Sequence, residues 1–302
     1  KACASDLQAP SLCIGGTAWL FCNALLTEAQ GTEKLDYLFI DEAGQVSVAN
    51  LVGMSRCAKN IILMGDQMQL GQPTQGCHPD ESGQSILEYL LQEHATIPAD
   101  FGVFLPQTYR MHPDVCRLIS NQVYDGRLQS ADSTKKHVIA LPSDIAPKKA
   151  GVHFVPVEHE GNTQGSEEEV EVIAELAGQL IGLNLWSGRP LKWSNILFVA
   201  PYNYQVNLLK AVLPAEARIG SVDKFQGQEA PIVFVSMCAS VASESPRGLD
   251  FLFSKNRLNV AISRAQSLAI IVGSPRLATT PVSNLRQMEL VNFYAEIVRY
   301  GT

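Results

Sequence analysis

Leu38-Phe-Ile-Asp41-Glu42-Ala-Gly-Gln45 decides how the chain is read. An apolar run, Tyr37-Leu-Phe-Ile40, ends directly in a pair of carboxylates followed by a glycine. Runs that are apolar at successive positions indicate strands covered on both faces, as in parallel sheets. Carboxylates at the end of such a strand are costly unless a cation or a reacting group sits beside them. A Mg²⁺-nucleotide site supplies that reason, the first carboxylate holding the metal through water and the second orienting an attacking water. Asp41 and Glu42 fit those roles. A pair of exposed turn acids is the alternative for this stretch taken alone.

The same pattern recurs along the chain. Ile61-Ile-Leu-Met64, Asn195-Ile-Leu-Phe-Val199, Ile232-Val-Phe-Val-Ser236 and Leu268-Ala-Ile-Ile-Val272 are further buried-strand candidates. Ile61 to Met64 runs into Gly65-Asp66-Gln67-Met-Gln69, where amides can meet phosphate oxygens and water without adding charge. Helical segments alternate with these strands. Ser166 and Glu169 read as a capping box, and Ile173, Leu176, Ala177, Leu180 and Ile181 then recur at helical spacing. Gln84 to Gln92 and Asn284 to Arg299 also read as helices. The alternation predicts an α/β, doubly wound parallel-sheet architecture with its chemistry beyond the carboxyl ends of the strands. The polar, Pro- and Gly-containing stretch from Glu93 to Val103 reads as the joint between two domains, residues 1–102 and 103–302. Leu128 to Gly151 reads as an irregular insertion in the second.

At 302 residues, 46% of them hydrophobic, the chain can bury a sizeable core. A net charge of -7 and a pI near 5.4 exclude nucleic-acid binding by overall positive charge, so any strand-binding surface must be local. Lys135, Lys136, Lys148 and Lys149 are a small basic segment that reads as a solvated loop. Seven cysteines, with no C-x-x-C pair, fit a reduced cytoplasmic protein. Cys77-His78 is an adjacent pair without second-half metal ligands, and a structural or surface role is its reading. The apolar runs are too short to span a bilayer, and the start at Lys1 does not resemble a signal peptide.

Further along stand Thr108-Tyr-Arg-Met-His-Pro113, Val222-Asp-Lys-Phe-Gln-Gly-Gln-Glu229 and Arg257-Leu-Asn-Val-Ala-Ile-Ser-Arg-Ala265. Together with Asp41-Glu-Ala-Gly-Gln45 and Gly65-Asp-Gln-Met-Gln-Leu70, they stand in the order of the later motifs of superfamily 1 helicases. They resemble the Upf-type branch, and the match spans Leu38 to Pro275. Phe251-Leu-Phe-Ser-Lys-Asn-Arg-Leu-Asn and Leu285-Arg-Gln-Met-Glu-Leu-Val-Asn292 are similar to bacterial proteins that fuse a RecB-like nuclease to such a helicase.

The resemblance implies two RecA-like domains of the P-loop NTPase type, ATP and Mg²⁺ as cofactors, and a single-stranded nucleic-acid partner, DNA more than RNA. It implies that Asp41 holds Mg²⁺ and Glu42 orients water. Gln69 would sense the γ-phosphate, and Arg110 and Arg264 would reach it with fixed planar charges. It places Tyr109 on the base, with Asp66, Gly227 and Glu229 around the nucleotide. Gly16-Thr17, Pro201-Tyr202 and Ser221-Val222 resemble segments lining the strand channel. Two alternatives stand beside these roles: Arg110, Arg257 and Arg264 as structural ion-pair residues, and Tyr202 as a core-edge aromatic.

No G-x-x-x-x-G-K-[ST] occurs in these residues; Gly71 to Gly76 has the glycine spacing but continues as Cys77-His78. A first RecA-like domain lacking the P-loop strand is expected to be incomplete, with an uncovered edge. Very weak hydrolysis is expected of these residues alone, with the loop, and a nuclease in the same polypeptide, upstream. Three function classes follow: an ATP-driven motor whose closure on Arg110 and Arg264 moves a strand, a non-catalytic binding module on the same fold, and a stand-alone NTPase switch.

Overall fold

The computed structural model describes residues 13–23, 26, 34–72, 79–92, 94–141, 149–242 and 245–302. Its contacts divide the chain into two compact units, residues 1–97 and 98–302.

In the first unit, helix α1 (Ala18–Phe21) precedes strand β1 (Leu35–Ile40), which pairs in parallel with β2 (Ala58–Leu63), Phe39 opposite Ile62. Helix α2 (Val48–Met54) makes the crossover; Ser47 opens it by accepting the N–H of Asn50. Helix α3 (Ile86–Leu91) starts with a full capping box, in which Ser85 and Glu88 accept each other's backbone N–H. Leu38, Ile40, Ala43, Met54, Ile86 and Leu91 form the core. Two-sided burial, expected for these strands, fails here. Tyr37 is 57% and Phe39 60% exposed, and Ile62 and Met64 are exposed as well. Among the described residues, α2 and α3 pack toward the Leu38 and Ile40 side and no layer covers the other.

The second unit begins with a short parallel pair, β3 (Gln107–Thr108) and β4 (Gln129–Ser130), joined through α4 (Pro113–Val123). Pro113 opens α4, where its fixed φ suits the first helical position and its missing N–H costs nothing. The main sheet has five parallel strands in the order β5-β9-β8-β6-β7. They are β5 (Gly151–Pro156), β6 (Ile196–Val199), β7 (Arg218–Gly220), β8 (Ala230–Ser236) and β9 (Ala265–Gly273). The strand order confirms the doubly wound parallel α/β class. Helices α5 (Glu167–Leu180) and α6 (Asn203–Val212) cover one face, where Ile173, Ala177 and Leu180 meet Phe198, Phe234 and Ile270. Helices α7 (Gly248–Leu252), α8 (Lys255–Ser263) and α9 (Leu285–Gly301) complete the unit. Tyr294 of α9 packs edge-on to Phe154 and stacks on Phe253. Here strands are buried on both faces: all four residues of β6 are buried, each contributing about 1.5–3 kcal/mol. No helix among the described residues is long and apolar enough to cross a membrane.

The Ser166–Glu169 capping box is only half formed. Ser166 Oγ accepts the Glu169 N–H at 3.1 Å, but the Ser166 N–H goes to Gln205 Oε1 at 2.8 Å. The Glu169 carboxylate is fully buried and serves the sheet instead. It accepts the Cys238 N–H at 2.9 Å and the Ser236 hydroxyl at 2.6 Å, and it lies 3.0 Å from His159 Nε2. His159 Nδ1 in turn meets Ser240 Oγ at 2.7 Å, and Gln205 Nε2 donates to Ser236 Oγ at 2.8 Å. A carboxylate withdrawn from water needs this many partners, and through them it fixes the chain that leaves β8. Cys238 sits there in the left-handed region, φ 51°, its thiol pKa pushed up by burial and by the Glu169 charge.

Glu169→Ala leaves the donors of Ser236 and Cys238 and the ring of His159 without an acceptor. Each such group costs about 1–3 kcal/mol, so urea unfolding should show a loss of at least about 3 kcal/mol. A loss below about 1 kcal/mol would show that the network is not a structural hub.

Candidate nucleotide and nucleic-acid sites

In the first unit the residues expected to carry chemistry lie at the carboxyl ends of β1 and β2. Asp41 and Glu42 follow β1 directly and are exposed. Asp41 Oδ1 accepts the Glu42 N–H at 3.0 Å, and Glu42 adopts the left-handed conformation, φ 52° and ψ 41°. That backbone is unfavourable by about 1–2 kcal/mol for a residue with a Cβ, so the neighbouring loop has to hold it. The Met64 N–H reaches the Ile40 carbonyl and the Ala43 N–H reaches the Met64 carbonyl, both at 2.8 Å. A Cβ on Gly44 would stand 2.7 Å from the Asp66 carbonyl oxygen, and one on Gly65 2.7 Å from the Ala43 nitrogen. Only glycine lets the two loops meet this closely. Asp66 organises its own turn, accepting from the Met68 N–H and from Gln69 Nε2, both at 2.9 Å. Gln67 Nε2 donates to the carbonyls of His94 and Ala95.

Gly16 and Thr17 are exposed and lead into α1, with no hydrogen bond to either loop among those described. Cys77-His78, Gly76 and Lys148 lie outside the described residues. Lys135 is paired with Asp132 at 2.7 Å.

In the second unit the carboxyl-end expectation fails for the arginines and succeeds for the strand-channel candidates. Arg264 caps α8 and precedes β9, and Glu229 precedes β8, so both lie at the amino ends of the strands. The reason is topological: α8 returns to start a parallel strand and delivers its last residue at that edge. Arg110 Nε donates to Glu229 Oε2 at 2.9 Å, and its Nη1 to the Ser263 carbonyl at 3.4 Å. Gln266 Nε2 donates to Glu229 Oε1 at 2.8 Å, and the Arg264 carbonyl accepts the Ala230 N–H at 3.0 Å. Arg264 is 3% exposed, so Arg110 presents the cluster's accessible charge.

Sequence reasoning missed Arg218, which opens β7 on the same edge. It donates to Gln228 Oε1 at 2.6 Å and to the Glu229 carbonyl at 3.4 Å, and burial lowers its pKa from the usual arginine value. The readable signal was a lone cation opening a short apolar strand. Tyr109 is 72% exposed, with its hydroxyl donating to Gln107 Oε1, and Gly227 is exposed in the left-handed region at φ 72°. Arg257 makes a two-point ion pair with Asp223 at 3.0 and 3.4 Å.

Pro201-Tyr202 and Ser221-Val222 follow β6 and β7 at the carboxyl edge. Tyr202 is buried, its hydroxyl bonded to Ser245 and its ring 5.3 Å from Phe251. The core-edge alternative therefore describes it, and its ring is not presented for base stacking. Val222 is buried too, so this edge offers backbone and small groups.

An open parallel α/β sheet of this order, with arginines gathered about a glutamate at one edge, is a helicase-type, RecA-like domain. The chain belongs to the family described as AAA domain, whose profile matches residues 82–276. It is 28% identical to the DNA replication ATP-dependent helicase/nuclease JHS1 of Arabidopsis thaliana, covering 88% of this chain and 20% of that protein. It is 29% identical to the regulator of nonsense transcripts 1 homolog of Drosophila melanogaster, covering 87% and 22%. Helicase sen1 of Schizosaccharomyces pombe is 30% identical, covering 82% and 15%. These relatives agree with the superfamily 1, Upf-type placement, and the chain spans only about a fifth of their length. Among solved structures, an arterivirus nonstructural protein 10 helicase in complex with DNA aligns over 82% of this chain and 41% of that one, at 17% identity and TM-score 0.42.

Gly44→Ala should destabilise the first unit by about 1–3 kcal/mol in urea unfolding, because its Cβ meets fixed backbone. Gly178→Ala, in open space on α5, should instead stabilise by about 0.5–1 kcal/mol. Equal effects at the two positions would contradict the close approach of the loops.

Proposed function

We propose that the chain is the C-terminal ATPase region of a superfamily 1 helicase that couples ATP hydrolysis to movement along a single strand and to duplex unwinding. The observation that carries this reading is the meeting of the Arg110 and Gln266 side chains on the Glu229 carboxylate at the amino ends of β8 and β9, where Arg264 also stands. A fixed guanidinium, that of Arg110, held beside the Glu229 carboxylate suits a group whose negative charge grows during phosphoryl transfer. The names of the relatives, helicases of DNA replication among them, support the same reading.

On this reading Asp41 holds Mg²⁺ through water, and Glu42 orients the attacking water. The donor set fits the ion: Mg²⁺ bound with a nucleotide needs one or two protein carboxylates and takes its remaining oxygens from phosphates and water. Asp41, exposed and anchored by the Glu42 N–H, supplies one. Gln69, held by Asp66, lies on the same loop edge as a sensor of the terminal phosphate. Arg110 and Arg264 neutralise charge on a nucleotide phosphate, Tyr109 offers an exposed face to the base, and Gly227 and Glu229 border the nucleotide. Gly16, Thr17, Pro201, Tyr202, Ser221 and Val222 line the strand path, chiefly through backbone groups. The phosphate-binding loop, and a nuclease fused to the helicase, belong to the longer polypeptide in this proposal.

In the longest natural polypeptide carrying this chain, hydrolysis should rise on addition of single-stranded DNA or RNA. Glu42→Gln should lower turnover by about 10²-fold or more while leaving nucleotide affinity unchanged, since it removes the orienting carboxylate and little volume. Strand-independent hydrolysis would reduce the function to an NTPase switch. Full turnover by the Glu42→Gln variant would remove that residue from its role.

A further inference from the structure

At the carboxyl edge of the second unit, three aromatic and cationic side chains pack around Phe251. The guanidinium carbon of Arg247 lies 3.8 Å from the ring centroid and that of Arg257 4.6 Å, while the Tyr202 ring centroid is 5.3 Å away. Pro201, Val222, Phe251 and Arg257 line one small cavity there, which puts the stack beside the proposed strand path. The two arginines differ in their charge balance. Arg257 is neutralised by Asp223 at 3.0 Å. Arg247 is exposed, and no carboxylate among the described residues lies within 4.0 Å of it. The nearest acid in sequence among them, Asp250, is engaged by Arg286 at 3.3 Å. Lys224 turns its ammonium inward to the Ile219 carbonyl at 2.9 Å.

A guanidinium laid on an aromatic face gains cation–π attraction and loses rotamer freedom, while its in-plane N–H donors stay directed outward. Such a group is prepared for a phosphate oxygen, and its free face can take a base. In a chain of net charge -7, an exposed arginine anchored at this edge, with no carboxylate partner among the described residues, is the kind of local cation that strand binding requires.

We infer that Arg247, seated on Phe251, binds a backbone phosphate of single-stranded nucleic acid. The inference rests on the nucleic-acid reading above and adds a residue to it. Phe251 is the positioning residue, and the Asp223–Arg257 pair braces the ring from its other contact.

The test is equilibrium binding of labelled oligothymidylate and oligouridylate to the 302-residue chain across a salt series. Arg247→Ala should weaken binding on the order of threefold to tenfold at low salt and reduce the log–log salt slope by about 0.7, the single-strand value for one phosphate. Arg247→Lys, which keeps the charge but not the planar seat, should restore the slope. Arg189→Ala, in the turn that enters β6 at the opposite edge, should change neither. Affinity and slope unchanged in Arg247→Ala, with its circular dichroism and melting intact, would overturn the inference and leave the nucleic-acid reading standing. A wild-type chain that binds neither oligonucleotide at any salt would overturn both.

Discussion

A parallel strand buried on both faces can offer chemistry only at its two ends. Every backbone group between them is committed to its neighbours, and every side chain to one of two apolar layers. β6, β8 and β9 obey this constraint almost without exception. The polar residues of the second unit consequently divide into two groups by position along the sheet, not by position in sequence. At the amino edge, Arg218, Glu229, Arg264 and Gln266 are joined by Arg110 from far away in sequence, Arg110 and Glu229 being separated by 119. At the carboxyl edge stand Glu169, His159, Ser236, Ser240 and the Arg247–Phe251 stack.

The two edges are built differently because water treats them differently. Arg110 and Glu229 keep 32% and 47% of their side-chain surface, so their pairing is worth at most about 1 kcal/mol and can exchange for a stronger anion. Glu169 has no such freedom. Fully desolvated, it has to keep all its donors, and it thereby sets the path of the chain from Ser236 to Ser240. A rigid hub beneath the carboxyl edge and an exchangeable ion pair at the amino edge suit, respectively, a surface that grips a strand and a surface that meets a changing phosphate.

The fold class was legible because five apolar runs and the helices between them carry period and length, which survive without tertiary information. The motif order made Asp41, Glu42, Arg110 and Arg264 readable as candidates. What could not be read was the edge at which each would appear, since that depends on strand order, a long-range property. The same limit hid Arg218, whose partners Gln228 and Glu229 come from the next strand's entry. Ser166 and Glu169 misled for a related reason. Their spacing matches a capping box, yet a buried backbone N–H on β8's exit competed for the carboxylate and won. Tyr202 showed an aromatic beside a proline, and only packing against Ser245 and Phe251 reveals that its ring is spent. The exposed faces of β1 and β2 likewise depend on what packs against them, which their own residues do not state.

The separation of the two edges is tested most directly by amide hydrogen exchange on the chain with and without a saturating single-stranded oligonucleotide. The account predicts slower exchange in the segments at 200–203, 220–226 and 245–252, with the amides of Ala230 and Ala265 at the amino edge unchanged. Protection centred on the amino edge, with none at the carboxyl edge, would contradict it.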